Sequence, residues 1–208
     1  MQFKAENLSF RYNSKSSWIL RNVNLTLDSC DKANNRTALT GPSGCGKSTL
    51  AKILAGYLKP TEGRILIDGN PLPRKGYCPV QMVHQHPEQS VNPRWKMQKT
   101  LHECWEPDEE LLNSMGIESE WLKRWPAELS GGELQRFCIA RILGPGTRFL
   151  ICDEITTMLD VITQAQIWNI LLERAEKNNM GLLVVTHNNA LAEKICNNTI
   201  YLPEINKI

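Results

Sequence analysis

The stretch GPSGCGKST at positions 41–49 dictates much of the fold around it. Gly41, Gly44 and Gly46 allow a backbone curl in which successive N–H groups point inward at an anion. Lys47 fixes a positive charge beside that curl. The pattern G-x-x-x-x-G-K-[ST] requires an apolar strand before it and an apolar helix after it. RTALT runs straight into the loop and STLAKILAGYL follows it, so both requirements are met. A helix opening near Lys47 turns its unpaired amides and positive dipole end toward the same anion.

The bound group this predicts is a nucleoside triphosphate. Loop amides, those of Ser43 and Cys45 among them, cradle the phosphates, and Lys47 reaches the β- and γ-phosphates. The Ser48 hydroxyl is placed to ligate Mg²⁺, and Thr49 adds a hydrogen bond. A glycine-rich turn that merely contains a lysine is the bland alternative, and the flanking strand and helix argue against it.

The rest of the chain supplies the scaffold for such a loop. VNLTL alternates Val23, Leu25 and Leu27 against Asn24 and Thr26, the period of a half-buried strand. AENLSFRY has a similar look, so residues 1–28 predict a small N-terminal antiparallel β subdomain. SCDKANN, at 29–35, reads as a turn, and RILID as a strand ending at Gly69. From about 88 to 135 the strand signal fades and DEELLNSMG and ESEWLKRW have helical spacing, which predicts a helical subdomain inserted in the core. The helix GGELQRFCIARIL, the strand RFLIC, the helix QAQIWNILLERAEKN and the strand LLVVT then alternate. Continuous apolar strands between helices predict a mostly parallel sheet covered on both faces, an α/β P-loop NTPase core.

At 208 residues the chain is expected to be a single domain with a real core. A net charge of +2 argues against bulk attraction to nucleic acid or anionic lipid. Seven scattered cysteines without a CxxC pair favour a reducing compartment over a disulfide framework. No secretory signal opens the chain, and no run nears the roughly 18 apolar residues of a membrane span. Work at a membrane would therefore go through partners on the cytosolic side.

Hydrolysis needs more than a cradle. RFLICDE brings Asp153 to the end of a buried strand, where α/β proteins bind ligands, as a candidate Mg²⁺ holder. Glu154, directly after it, is a candidate general base for an attacking water. An acidic strand end facing solvent is the alternative. His187 follows the strand in LLVVTH; such a histidine is commonly structural, but here it is a candidate to sense the γ-phosphate and position water. Gln85 lies in VQMVHQHPEQSVNPR between His84 and His86, which lack a third ligand at metal-site spacing.

LSGGELQR, at 129–136, narrows the reading further. Ser130 with Gly131 and Gly132 ahead of a helix makes a second anion-binding terminus. Two phosphate-binding ends in one chain fit one nucleotide shared by two chains. An N-capping serine with flexible glycines explains the serine alone.

Over essentially its whole length the chain resembles the ATP-binding subunits of ABC transporters. Walker A is at 41–49, the Q-loop at Gln85, the signature at 129–133 and Walker B at 149–153. Glu154 matches the family's catalytic glutamate, Asp160 in TTMLD its D-loop aspartate and His187 its switch histidine. Tyr12 in LSFRY matches the aromatic that stacks on adenine, with Trp18 a rival. The resemblance implies ATP and Mg²⁺, the metal held by Ser48, Gln85 and Asp153. It also implies two ATP-binding subunits closing head to tail, and force passed to integral membrane permease subunits through a groove near the Q-loop. A soluble ABC ATPase of DNA repair or translation is the alternative; such proteins carry coiled-coil insertions or tandem domains.

QMVHQHPEQSVNPR looks like the Q-loop region of dipeptide, oligopeptide and nickel importers. That implies uptake of peptides, nickel or a metal chelate, with a solute-binding protein acting upstream. The chain ends soon after ICNNTIYLPEINKI, without the C-terminal extension common in that branch, so pairing with a longer paralogue is expected. Two departures stand out: Ile155 replaces the usual proline after the glutamate, which is expected to loosen the D-loop, and SCDKANN replaces a short Gly-Glu turn. Neither removes a catalytic group.

Overall fold

The period-two pattern at the N-terminus closes into an antiparallel sheet in the computed structural model, which describes residues 1–208 apart from Arg74 and Met158. Strands β1 (Gln2–Phe10) and β2 (Leu20–Asp28) pair antiparallel, and Val23, Leu25 and Leu27 are buried on their inner face. Strand β3 (Arg36–Thr40) leaves this sheet and runs into the glycine loop and helix α1 (Lys47–Leu54). The helix is shorter than STLAKILAGYL suggests, because Gly56 turns left-handed at φ +82 and ends it.

The chain then returns to the first sheet, which the sequence reading confined to residues 1–28. Strand β4 (Glu62–Ile67) pairs antiparallel with β1. Asp68 and Gly69, at φ 45 and 80, form the two-residue turn into β5 (Asn70–Pro71). Positive φ at both central residues is what a tight hairpin requires. The sheet order is β2-β1-β4-β5.

Strand β6 (Val80–Val83), unassigned in the sequence reading, opens the second sheet. The helical lobe follows, with short helices α2 (Met97–Leu101) and α3 (Glu109–Ser114), several 3-10 turns, and α4 (Gly131–Ile142). After it come β7 (Phe149–Asp153), α5 (Val161–Lys177), β8 (Gly181–Val185), α6 (Asn189–Ile195), β9 (Asn198–Tyr201) and α7 (Leu202–Ile205). Strands β6-β7-β8-β3-β9 form a five-stranded, fully parallel sheet.

Alternate residues of β7 show why its sequence is apolar throughout. Leu150 and Cys152 face a core shared with α4, α5 and the lobe, while Phe149 and Ile151 face a core shared with α1 and the antiparallel sheet. Both faces are covered, as expected for parallel strands. Register then assembles the site: Leu39 of β3 and Asp153 of β7 both lie level with Val185 of β8, and Val83 of β6 with Cys152. The segments after β3, β6, β7 and β8 therefore emerge at one edge.

Candidate nucleotide site

At that edge the glycine loop joins β3 to α1. Gly46 caps the helix at φ 102, and a Cβ there would lie 3.2 Å from Ile19 Cγ2 and 3.3 Å from the Ile19 carbonyl oxygen. The loop is thus pressed against the start of β2, and only glycine fits. Lys47 is buried within the curl; its Nζ donates to the carbonyl oxygens of Gly41 at 2.8 Å and Pro42 at 2.9 Å. Ser43, Gly44, Gly46, Lys47, Ser48 and Thr49 line a cleft of about 310 Å³, with Gln85 and Glu154 across from them and Ile19 at the side. Gly41 and Cys45 support the loop rather than line the cleft, Gly41 through its bond to Lys47.

The two carboxylates of RFLICDE are held differently. Asp153 is 5 % exposed and accepts a hydrogen bond from Ser48 Oγ at 3.2 Å. Burial pushes its pKa up, the Ser48 bond pulls against that, and Glu154 adds a smaller upward push. Glu154 sits in the left-handed region at φ 51, its N–H bonded to the Val185 carbonyl at 3.0 Å. That turn aims its carboxylate into the cleft. Gln85 Nε2 donates to Oε2 at 3.1 Å, and His187 Nδ1 lies 3.0 Å from Oε1. Against an ionised carboxylate, Nδ1 carries the proton and Nε2 stays free to face the solvent side. Two residues distant in sequence thereby converge on the Glu154 oxygen pair.

Behind Glu154 and His187 a second cavity of about 290 Å³ is walled by Ile155, Thr156, Thr157, Leu159, α5 and the end of β8. Ile155 is buried at 4 % exposure, and Thr156 Oγ1 accepts from Gln164 Nε2 at 2.6 Å and Trp168 Nε1 at 3.2 Å. Apolar burial and two hydrogen bonds anchor the start of the loop where proline would have stiffened it.

Five further candidate residues lie apart from the glycine loop and from the Asp153, Glu154 and His187 cluster beside it. Ser130 caps α4: its Oγ accepts from Glu133 N–H at 3.3 Å, and Glu133 returns the favour to Ser130 N–H at 2.9 Å. This capping box accounts for the serine and the glutamate of LSGGE. Gly131 has open space where a Cβ would stand, whereas at Gly132 a Cβ would lie 2.9 Å from Leu159 Cδ2. Asp160 caps α5, accepting from the N–H groups of Ile162 and Thr163, both at 3.0 Å. Bonds from Thr163 and then Ile162 hold its carboxyl below the usual range. Tyr12 is 67 % exposed, edge-on to Phe10 at 5.1 Å. The rival Trp18 already carries the Arg11 guanidinium over its ring at 4.5 Å. Tyr12 keeps the freer face.

Sequence reasoning missed Ile19, the Pro42 carbonyl, Thr156 and Gln135. Ile19 was legible as the apolar residue just before β2. The carbonyl and the threonine contribute through loop geometry that no pattern encodes.

The chain is similar to known proteins in both sequence and fold. The ABC transporter family model matches residues 20–157. The nickel import system ATP-binding protein NikE of Staphylococcus aureus (strain bovine RF122 / ET3-1) is 33% identical, the alignment covering 96% of this chain and 85% of that protein. A probable peptide ABC transporter ATP-binding protein, y4tS of Sinorhizobium fredii, is 33% identical over 92% of this chain and 61% of its own length. Among solved structures, the dimeric ATP-binding cassette MJ0796 in a post-hydrolysis state bound to ADP and Pi superposes with a TM-score of 0.78. It is 25% identical, with 96% of this chain and 94% of that one covered. These relatives support transport and not the alternative of DNA repair or translation. With motifs and fold in agreement, the chain belongs to the ABC transporter family, as an ATP-binding subunit that hydrolyses ATP to power transport.

Proposed function

We propose that this chain, one ATP-binding domain from residue 1 to 208 with a helical lobe at about 88–135, works as half of a head-to-tail pair. The observation that carries this reading is that its two phosphate-type ends do not meet: none of residues 129–133 lines the glycine-loop cleft. Ser130 and Gly131 are exposed at the tip of α4. In the pair, Ser130, Gly131 and Gly132 of one subunit complete the cleft of the other, and Tyr12 stacks on adenine. Asp160 lines the seam between them. The second subunit is a paralogue or another copy of this chain.

The donor set fits a hard divalent cation. Ser48 Oγ donates to the buried Asp153 carboxylate at 3.2 Å, and Gln85 lines the same cleft as Ser48, so these three would hold the ion. Mg²⁺ held by these groups would supply charge neutralisation on the phosphate oxygens. Lys47 and the loop amides orient the triphosphate. Glu154 takes the proton from the attacking water, while Gln85 and His187 hold its carboxylate in line.

Between core and lobe, Lys52, Tyr57, Leu58, His84 and Arg141 border a groove of about 380 Å³. Burial first, then Lys52 and Arg141, hold the His84 imidazole below its usual pKa, so the groove's charge comes from the lysine and arginine. This groove receives a segment of an integral membrane permease. No helix among the described residues is long and apolar enough to cross a membrane, in keeping with a peripheral position on the cytoplasmic face. Kinship with the nickel and peptide subunits points to import of nickel, a metal chelate or peptides delivered by a solute-binding protein.

Ser130→Arg tests the shared site. The variant is expected to fold and bind ATP yet lose most hydrolysis at the partner's nucleotide, measured as phosphate release from the assembled complex. Unchanged release, or failure to co-purify with integral membrane subunits, would refute the reading.

A further inference from the structure

Helix α4 does more than present Ser130. Three of its side chains, spaced three residues apart, grip the segment 84–90 that carries Gln85. Gln135 Nε2 donates to the His84 carbonyl at 3.2 Å. Cys138 Sγ lies 3.3 Å from Ser90 Oγ, and Arg141 Nη2 donates to the Ser90 carbonyl at 3.0 Å. The segment leaves the parallel sheet at Val83 and is held from there on by α4.

Gln135 is the member nearest the chemistry. It is 3 % exposed, and its Oε1 is buried with no hydrogen-bond partner among the described residues. A half-satisfied buried amide is a poor choice for stability, since the desolvation of its unpaired Oε1 offsets the one bond it makes. Its one bond ends on the His84–Gln85 peptide, and the next residue donates to Glu154 at 3.1 Å. From Ser130 to Glu154 the connection thus runs through one helix, one amide bond and one glutamine.

We infer that Gln135 is a positioning residue: its bond to the His84 carbonyl makes Gln85 follow α4, so that engagement of Ser130 by a partner sets the aim of Glu154. This rests on the proposed roles of Gln85, Glu154 and Ser130. A small displacement at a reacting centre is sufficient to cost one to two orders of magnitude in rate.

The test is a double-mutant cycle in the full chain assembled with its transport complex, reading kcat, KM for ATP and thermal melting. Gln135→Leu removes the unpaired Oε1 but also the donor to the His84 carbonyl, so it is expected to melt close to the parent temperature, keep KM, and lower kcat about tenfold. Gln135→Met serves as a second apolar variant should leucine crowd the site. In a Gln85→Ala background, Gln135→Leu is expected to add no further loss. Gln135→Glu supplies the readout a structural role would not move: only its protonated form can donate to the carbonyl, so kcat relative to the parent rises as pH falls. Additive losses, or a kcat of Gln135→Leu equal to the parent's, overturn the coupling while leaving the site intact. A Gln85→Ala variant with unchanged kcat overturns the role of Gln85, and the coupling with it.

Discussion

Replacing Glu154 by glutamine separates chemistry from architecture. The side chain keeps its shape, and its contacts are two: Gln85 Nε2 at 3.1 Å and His187 Nδ1 at 3.0 Å. In Glu154→Gln the amide oxygen accepts from Gln85. The new NH₂ then faces Nδ1, which accepts once the histidine adopts its other tautomer. No buried group is stranded, so stability should stay within about 0.5 kcal/mol of the parent, as for substitutions that strand nothing. What vanishes is the ability to take a proton. Loss of a general base costs about 10²–10⁴ in rate, and a loss near the middle, about 10³, corresponds to about 4 kcal/mol of barrier. The assay is single-turnover phosphate release on the assembled complex, alongside nucleotide titration and thermal melting. Retained ATP affinity, a parental melting curve and accumulated closed pairs on gel filtration are expected. Turnover within about threefold of the parent, a shift well short of that loss, would refute the assignment of Glu154 as base.

Asp153→Asn should raise the melting temperature of the nucleotide-free chain at neutral pH while abolishing hydrolysis. Burial raises the Asp153 pKa, so the folded state holds its proton more tightly than the unfolded one, and stability falls as pH rises through that interval. The gain from asparagine should therefore vanish below the ordinary aspartate pKa, which melting curves across pH would show. Gly46→Ala should cost roughly 2–3 kcal/mol by denaturant titration, because left-handed φ and crowding add, and should abolish ATP binding. Gly131→Ala, facing open space, should stay within about 0.5 kcal/mol of the parent.

Much of this site could be read from residue order because its parts are local. GPSGCGKST and RFLICDE each carry strand, turn and ligand groups within a few residues, and both landed at the sheet edge as expected. The sheet's outer strands were harder. VQMV and NTIY are four residues each, flanked by polar turns, too short for a period to emerge, and are strands only because β7 and β3 lie beside them. The pairing of β4 with β1 spans some sixty residues and has no local signature. Gln135 was invisible for a related reason. A glutamine in LSGGELQR looks like helix surface until the 84–90 segment is laid over it.

Residue 154 bends the main chain in a way that suits glycine and burdens a side chain by about 1–3 kcal/mol. With Glu154 as the proposed base, glycine there would make a sturdier protein and an idle one. Thermal hardiness and catalytic speed thus compete for a single codon, and any attempt to toughen this subunit by relieving backbone strain will first be tempted by the one position where relief ends the work.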